Sequence, residues 1–280
     1  MGEAAHAVTL VDAHTHVVAD DADRYPLESS VGADQGWHHD RPVDADAMVR
    51  AADAAGVDAV VFVQSLSCHG YDNRYVIESA RRFGSRAVGV GAANPADPGA
   101  AARLRSDVVD GGMRGVRLSA AGDPPSFDTV SIRDIVAEAA DLAVPVVLVG
   151  GTAQLARLER LAAAFPSVVF VVDHCGFVDL RDPDTFPAAG PLLALVDLPN
   201  IVCKVSSINL QAATDPAAVW CALAARFGSD RLLWGSDYPH SDGPGYSALV
   251  ELARQTTADL GPTARDDVLG GTARRIWPGV

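Results

Sequence analysis

DAVVFVQSLSCHGYDNRYVIESARRFGSRAVGVGA, residues 58–92, decides the fold. It opens on a short β-branched run (58–64) and passes through a Gly- and Asn-containing turn. It continues as an amphipathic stretch that stops at Gly84, and closes on a second apolar run (86–92). Runs this short and this uniformly apolar suit strands buried on both faces, and the helical stretch between them makes the pair parallel. Working outward, the unit repeats. Further runs lie at 8–13, 114–119, 144–149, 168–173, 200–205 and 231–235, with helical patterns such as DADAMVRAADAAG (44–56) and TAQLARLERLAAAFP (152–166) between them. Eight strands alternating with about eight helices predict an α/β fold, one (β/α)8 barrel occupying residues 1–280 as a single domain.

One connection is long. Residues 18–43 are polar and aperiodic, and in a barrel a loop following the first strand lies at the catalytic face. It is expected to cover part of the site, with Tyr25 and Trp37 toward substrate. Composition narrows the function classes. The 280-residue chain is 49% hydrophobic and carries a formal net charge of −14, which disfavours nucleic acid and anionic membrane as partners. No apolar run reaches the roughly 20 residues needed to span a bilayer. Cys68, Cys175, Cys203 and Cys221 show no CxxC spacing or disulfide framework, and the first residues lack a secretion signal, so a cytoplasmic location is expected.

Three strand ends carry chemistry. Asp12-Ala13-His14-Thr15-His16 ends the first, and simple alternation puts Asp12, His14 and His16 on one side. Val172-Asp173-His174-Cys175-Gly176 ends the sixth. Trp234-Gly235-Ser236-Asp237-Tyr238-Pro239-His240 ends the eighth. Catalytic groups of a barrel come from several strand ends on one face. His14, His16, His174 and Asp237 are therefore the candidate catalytic set, whereas His6, His38 and His39 stand in no motif.

In this order DAHTH, VDHCG and LLWGSDYPH resemble the amidohydrolase-related branch of the amidohydrolase superfamily. VQSLSCHGYDNRYV, MRGVRLS and NIVCKVSS are similar to its group of 2-pyrone-4,6-dicarboxylate and sugar lactonases, and the likeness runs from about Val11 to the tail ARRIWP. The resemblance implies hydrolysis of a carboxylic ester, a lactone ring. Asp237 would be the general base on water, and His14, His16 and His174 would polarise the carbonyl. Substrate contacts would come from Arg117 as a carboxylate clamp, from Ser67, His69, Tyr25 and Lys204, and from His240 at the mouth.

Many relatives bind a divalent ion through HxH, a fifth-strand histidine and the eighth-strand aspartate. Here the fifth strand reads VPVVLVGG and offers no ligand, as in the dicarboxylate lactonases, so a site without metal is expected. The alternative is one zinc or manganese ion on His14, His16 and Asp237, in a metal-dependent decarboxylase or hydrolase. A second arginine of the pyrone enzyme, six positions beyond Arg117, is replaced by Asp123, and 206–213 supplies none. The expected partner is a small lactone with at most one carboxylate; homo-oligomerisation is left open.

Overall fold

The computed structural model describes residues 9–28, 36–120, 126–181, 189–240 and 245–280. Eight parallel strands run in the order β1 to β8: β1 (Val11–Thr15), β2 (Ala59–Val63), β3 (Ala87–Ala92), β4 (Val116–Ser119), β5 (Val146–Val149), β6 (Phe170–Val172), β7 (Ile201–Ser206) and β8 (Leu232–Gly235). Helices stand between consecutive strands, and the eight strands form a nearly closed (β/α)8 barrel, as the alternating runs predict. No helix among the described residues is long and apolar enough to cross a membrane.

Two apolar layers hold it. The inner one is Val61, Val63, Val88, Val90, Val147, Val171, Val202 and Leu233, with Val11 and Ala13 from β1 and Trp277 from the tail. The outer one joins the opposite strand faces (Val60, Phe62, Val116, Leu118, Phe170, Cys203) to helix residues such as Met48, Leu158 and Leu223. Two residues beyond Gly115, Val171, Val202 and Leu233 along their strands stand Arg117, Asp173, Lys204 and Gly235. They share the inward face, one layer nearer the strand ends.

β1 breaks this alternation. Val11 and Asp12 pair with Ala59 and Val60, but Thr15 pairs with Phe62, so β1 spends one residue more than β2 over the same span. Such a bulge inverts side-chain parity. Val11 and Ala13 face inward before it, and His14 and His16 face inward after it. Asp12 is correspondingly left on the outer face beside Tyr246, which corrects the expectation that Asp12, His14 and His16 share a side. The barrel closes where Asp237 N–H donates to the His14 carbonyl and His16 N–H to the Tyr238 carbonyl, both at 2.8 Å. Only glycine fits at 235, because a Cβ there would stand 2.6 Å from the His14 Cβ.

Candidate active site

Asp12 pins the seam between first and last strands. Its Oδ1 accepts from Ser236 N–H (2.8 Å) and His14 N–H (3.1 Å), so one carboxylate sets the relative position of two segments bearing His14, His16 and Asp237. Burial pushes its pKa up to about 6, against the hydrogen bonds from Ser236 and His14, which lower it. A carboxyl whose folded pKa lies above its unfolded value near 3.9 stabilises the fold fully at low pH and loses that contribution as pH rises through about 6. The decline is on the order of 3 kcal/mol. Asp12→Asn keeps an acceptor and cannot ionise, so its stability should fall less than the wild type's between pH 4 and 6. Parallel denaturation curves across that range check this.

Three atoms from the bulged strand and from Asp237 converge. His14 Nε2 and His16 Nε2 are 3.2 Å apart, and Asp237 Oδ1 lies 3.4 and 3.3 Å from them. Oδ1 is buried and has no partner at hydrogen-bonding geometry among the described residues. His16 Nδ1 donates to the Val63 carbonyl at 2.7 Å, because a carbonyl only accepts. Burial holds His16 below its ordinary pKa, so the neutral ring presents a lone pair at Nε2, where the sequence reading placed a hydrogen-bond donor to a carbonyl. His14 Nδ1 stands 3.2 Å from Asp173 Oδ1 and 2.9 Å from Lys204 Nζ. Lys204, an ammonium, can only donate to Nδ1, which in the neutral ring puts the proton on Nε2; Asp173 can only accept from Nδ1, and it is that tautomer which frees Nε2. Burial and the Lys204 charge keep His14 well below the usual histidine range.

Asp237 is ionised despite its burial. Desolvation opposes the charge, but the hydrogen bond that His240 Nδ1 gives Oδ2 favours it, and the carboxyl lies well below the ordinary range. His240 Nδ1 stands 3.1 Å from Oδ2, and its side chain is 35% exposed.

Behind the histidines lies a charge network that sequence reasoning credited only in pieces. Lys204 Nζ donates to Asp173 Oδ1 at 2.7 Å, and Arg117 Nε donates to Asp173 Oδ2 at 3.1 Å. Burial opposes the Asp173 charge, but Lys204, His14 and Arg117 hold its pKa well below normal. Lys204, wholly buried, is thus a structural cation rather than a substrate contact. Arg117 also donates from Nη1 to the Gln64 carbonyl, and among the described residues no partner takes its Nη2. Asp173 was legible as the neighbour of His174; only its depth reveals the role.

The turn carrying His174 is left-handed. His174, Cys175, Gly176 and Phe177 all have φ between 52° and 65°, and Asp237 has φ 59°. Each non-glycine residue there costs about 1–2 kcal/mol. Strain of this kind collects at functional sites because surrounding contacts impose it. Here Asn209 Nδ2 donates to the His174 carbonyl, and the Cys175 thiol reaches the Lys204 carbonyl.

The remaining sequence candidates fall differently. Trp37, in the helical turn Trp37–Asp40, lies with its ring 5.9 Å from His16 and 5.6 Å from His240, so the long first loop does cover the site. Ser67 accepts from Trp37 Nε1 at 3.2 Å and holds that cover in place. His69 is a staple, not a substrate contact: Nε2 accepts from Ala19 N–H and Nδ1 donates to the Pro26 carbonyl, which occupies both nitrogens. Tyr25 gives its hydroxyl to Glu78 and packs on Tyr75, neither of which belongs to the cluster. Asp123 and His6 lie outside the described residues.

A family model for amidohydrolases matches residues 11–279. The chain belongs to the amidohydrolase family. Among curated relatives of this amidohydrolase, an L-fucono-1,5-lactonase from Burkholderia ambifaria is 28% identical over 244 residues, covering 80% of this chain and 81% of that protein. A 2-pyrone-4,6-dicarboxylate hydrolase from Comamonas testosteroni is 27% identical, covering 96% and 90%. A protein assigned as a 2-pyrone-4,6-dicarboxylic acid hydrolase, from Pseudomonas putida, superposes with TM-score 0.79 at 25% identity, covering 96% and 97%.

The expectation of a site without metal is overturned. An amidohydrolase from Burkholderia multivorans, 25% identical with TM-score 0.72 and coverage of 96% and 98%, has zinc bound. In this chain His14, His16 and Asp237 form a group able to hold an ion. Their fit is geometric. A tetrahedral ion about 2.0–2.1 Å from its ligands needs ligand atoms roughly 3.3 Å apart. The triangle here has edges of 3.2, 3.3 and 3.4 Å, two of its corners can be imidazole lone pairs, and the third is an orphaned carboxylate oxygen. The empty fifth-strand position does not prevent binding, since three protein ligands and one open position make a catalytic site.

Proposed function

We propose that this amidohydrolase opens a lactone ring with water, in a site that binds one divalent ion through His14, His16 and Asp237. The observation that carries the reading is the convergence of those three ligand atoms within 3.4 Å at the strand ends. The names of the curated relatives, a lactonase and a pyrone hydrolase, supply the substrate class. When bound, a zinc or manganese ion at this triangle would polarise the ester carbonyl and lower the pKa of water.

The chain's own residues account for the proton. Asp237, ionised, takes it through its carboxylate from water as the water oxygen bonds to the carbonyl carbon. When the adduct collapses, the ring carbon–oxygen bond breaks and the protonated Asp237 returns the proton to the departing alkoxide, leaving a hydroxy acid. Trp37 over His16 excludes bulk water. Arg117 has its Nη2 free of partners among the described residues, which suits one substrate carboxylate or ester oxygen. The other buried cation, Lys204, is consumed by Asp173, so a substrate with at most one carboxylate is matched.

A pH-indicator screen of sugar lactones and of 2-pyrone-4,6-dicarboxylate on metal-analysed protein tests this. The expected result is about one equivalent of zinc or manganese, turnover of a mono- or uncharged lactone, loss on chelation and recovery on re-addition. Carbon dioxide release from an aromatic acid, with every lactone inert, would replace lactone hydrolysis by decarboxylation. Pyrone dicarboxylate turned over as efficiently as the best lactone would remove the charge argument.

A further inference from the structure

His174 rests on two residues, Ser206 and Asn209, that together dictate where its proton sits. The Asn209 amide is oriented by two backbone groups of opposite polarity. Its Nδ2 donates to the His174 carbonyl at 3.1 Å, and its Oδ1 accepts from Ser206 N–H at 3.0 Å. The same Oδ1 lies 2.9 Å from Ser206 Oγ. An amide oxygen only accepts, so the Ser206 hydroxyl donates its single proton there. Toward His174 Nδ1, 2.8 Å away, Ser206 Oγ then has only lone pairs to offer. Nδ1 must carry a hydrogen, and in the neutral ring Nε2 is the acceptor.

Nothing among the described residues bonds to Nε2, and it is not one of the sealed, partnerless atoms of the interior. The ring stands 4.9 Å from those of His14 and Phe177, at the edge of the ligand triangle.

We propose that Ser206 and Asn209 are positioning residues that lock His174 in the Nδ1–H tautomer and present Nε2 to the substrate cavity as a hydrogen-bond acceptor. Its chemical consequence rests on the hydrolytic reading above. A lone pair at Nε2 does not donate to a carbonyl oxygen, the part the sequence assigned to this histidine. It holds one O–H of the attacking water while Asp237 takes the proton of the other. Two acceptors on one water aim an oxygen lone pair at the ester carbon.

The same pair also forms a capping box at the start of helix Ser207–Ala212. A purely structural role would lower stability when Ser206 is changed and leave the tautomer alone. The deciding measurement is therefore the nitrogen-15 spectrum of the full chain labelled at histidine, with His174 assigned by the signal missing in His174→Gln.

Wild type should show a pyrrole-type Nδ1 and a pyridine-type Nε2 at His174. Ser206→Ala should lose that signature, and Ser206→Thr should keep it. A wild-type His174 protonated at Nε2 overturns the proposal whether or not any lactone is hydrolysed, and this holds even where Ser206→Ala fails to fold. On a lactone that the wild type turns over, Ser206→Ala should lose at least about tenfold in kcat with KM little changed, and Ser206→Thr should recover it. An unchanged kcat beside an altered tautomer would strike out the catalytic consequence.

Discussion

Asp237→Asn is expected to lower kcat by about two to three orders of magnitude while the barrel stays folded. The fold should survive for a local reason. Residue 237 has φ 59°, a conformation that asparagine adopts more readily than most residues, and the backbone N–H that closes the barrel on His14 is untouched. The chemistry should not survive. An amide oxygen has no charge to offer an ion and does not take a proton from water, so the change removes one corner of the ligand triangle and the proposed base together. Steady-state kinetics on the best lactone, beside metal content and a thermal melt of the same preparation, read the two effects separately. Near wild-type turnover in a folded variant would remove Asp237 from the mechanism.

The second large effect is on stability. Lys204→Met should destabilise the protein by about 3–5 kcal/mol, the usual result of removing one partner from a buried ion pair. Lys204 and Asp173 have fully buried side chains 2.7 Å apart, and methionine fills the space without replacing the charge. Asp173 would keep only Arg117, at 3.1 Å, and His14, whose pKa burial depresses. The sign can be tested against itself. Adding Asp173→Asn to Lys204→Met removes the stranded anion and should return part of the loss, although Asp173→Asn alone leaves Lys204 and Arg117 facing each other. Denaturant unfolding of the two single variants and the double variant gives the coupling; additive losses would show that the pair is not energetically linked.

The eight strands were legible because each is a short apolar run bounded by turn residues, and β2 (Ala59–Val63) stands inside the 58–64 run. His14, His16, His174 and Asp237 were legible because all four stand at strand ends, where a barrel collects its chemistry. Their roles were not. The HxH spacing suggests two side chains on one face, but it does not reveal that a bulge delivers them there while turning Asp12 away. Lys204 and His69 look alike in sequence, as polar residues near strand ends. One is walled into a charge network and the other staples the first loop by both ring nitrogens.

The metal expectation failed for a related reason. A missing fifth-strand ligand is visible in the sequence, whereas the spacing of the three that remain is a distance between segments more than 200 residues apart.

What the sequence by itself determined is the barrel and the four side chains placed at its strand ends, because strand burial and strand-end position are properties of near neighbours in the chain. What only the tertiary structure decided is what those side chains can do. Tautomer, charge and ligand geometry are set by partners such as Val63, Ser206 and Asp173, which come from other strands. Their effect depends on distances of about 3 Å, which no pattern along the chain encodes.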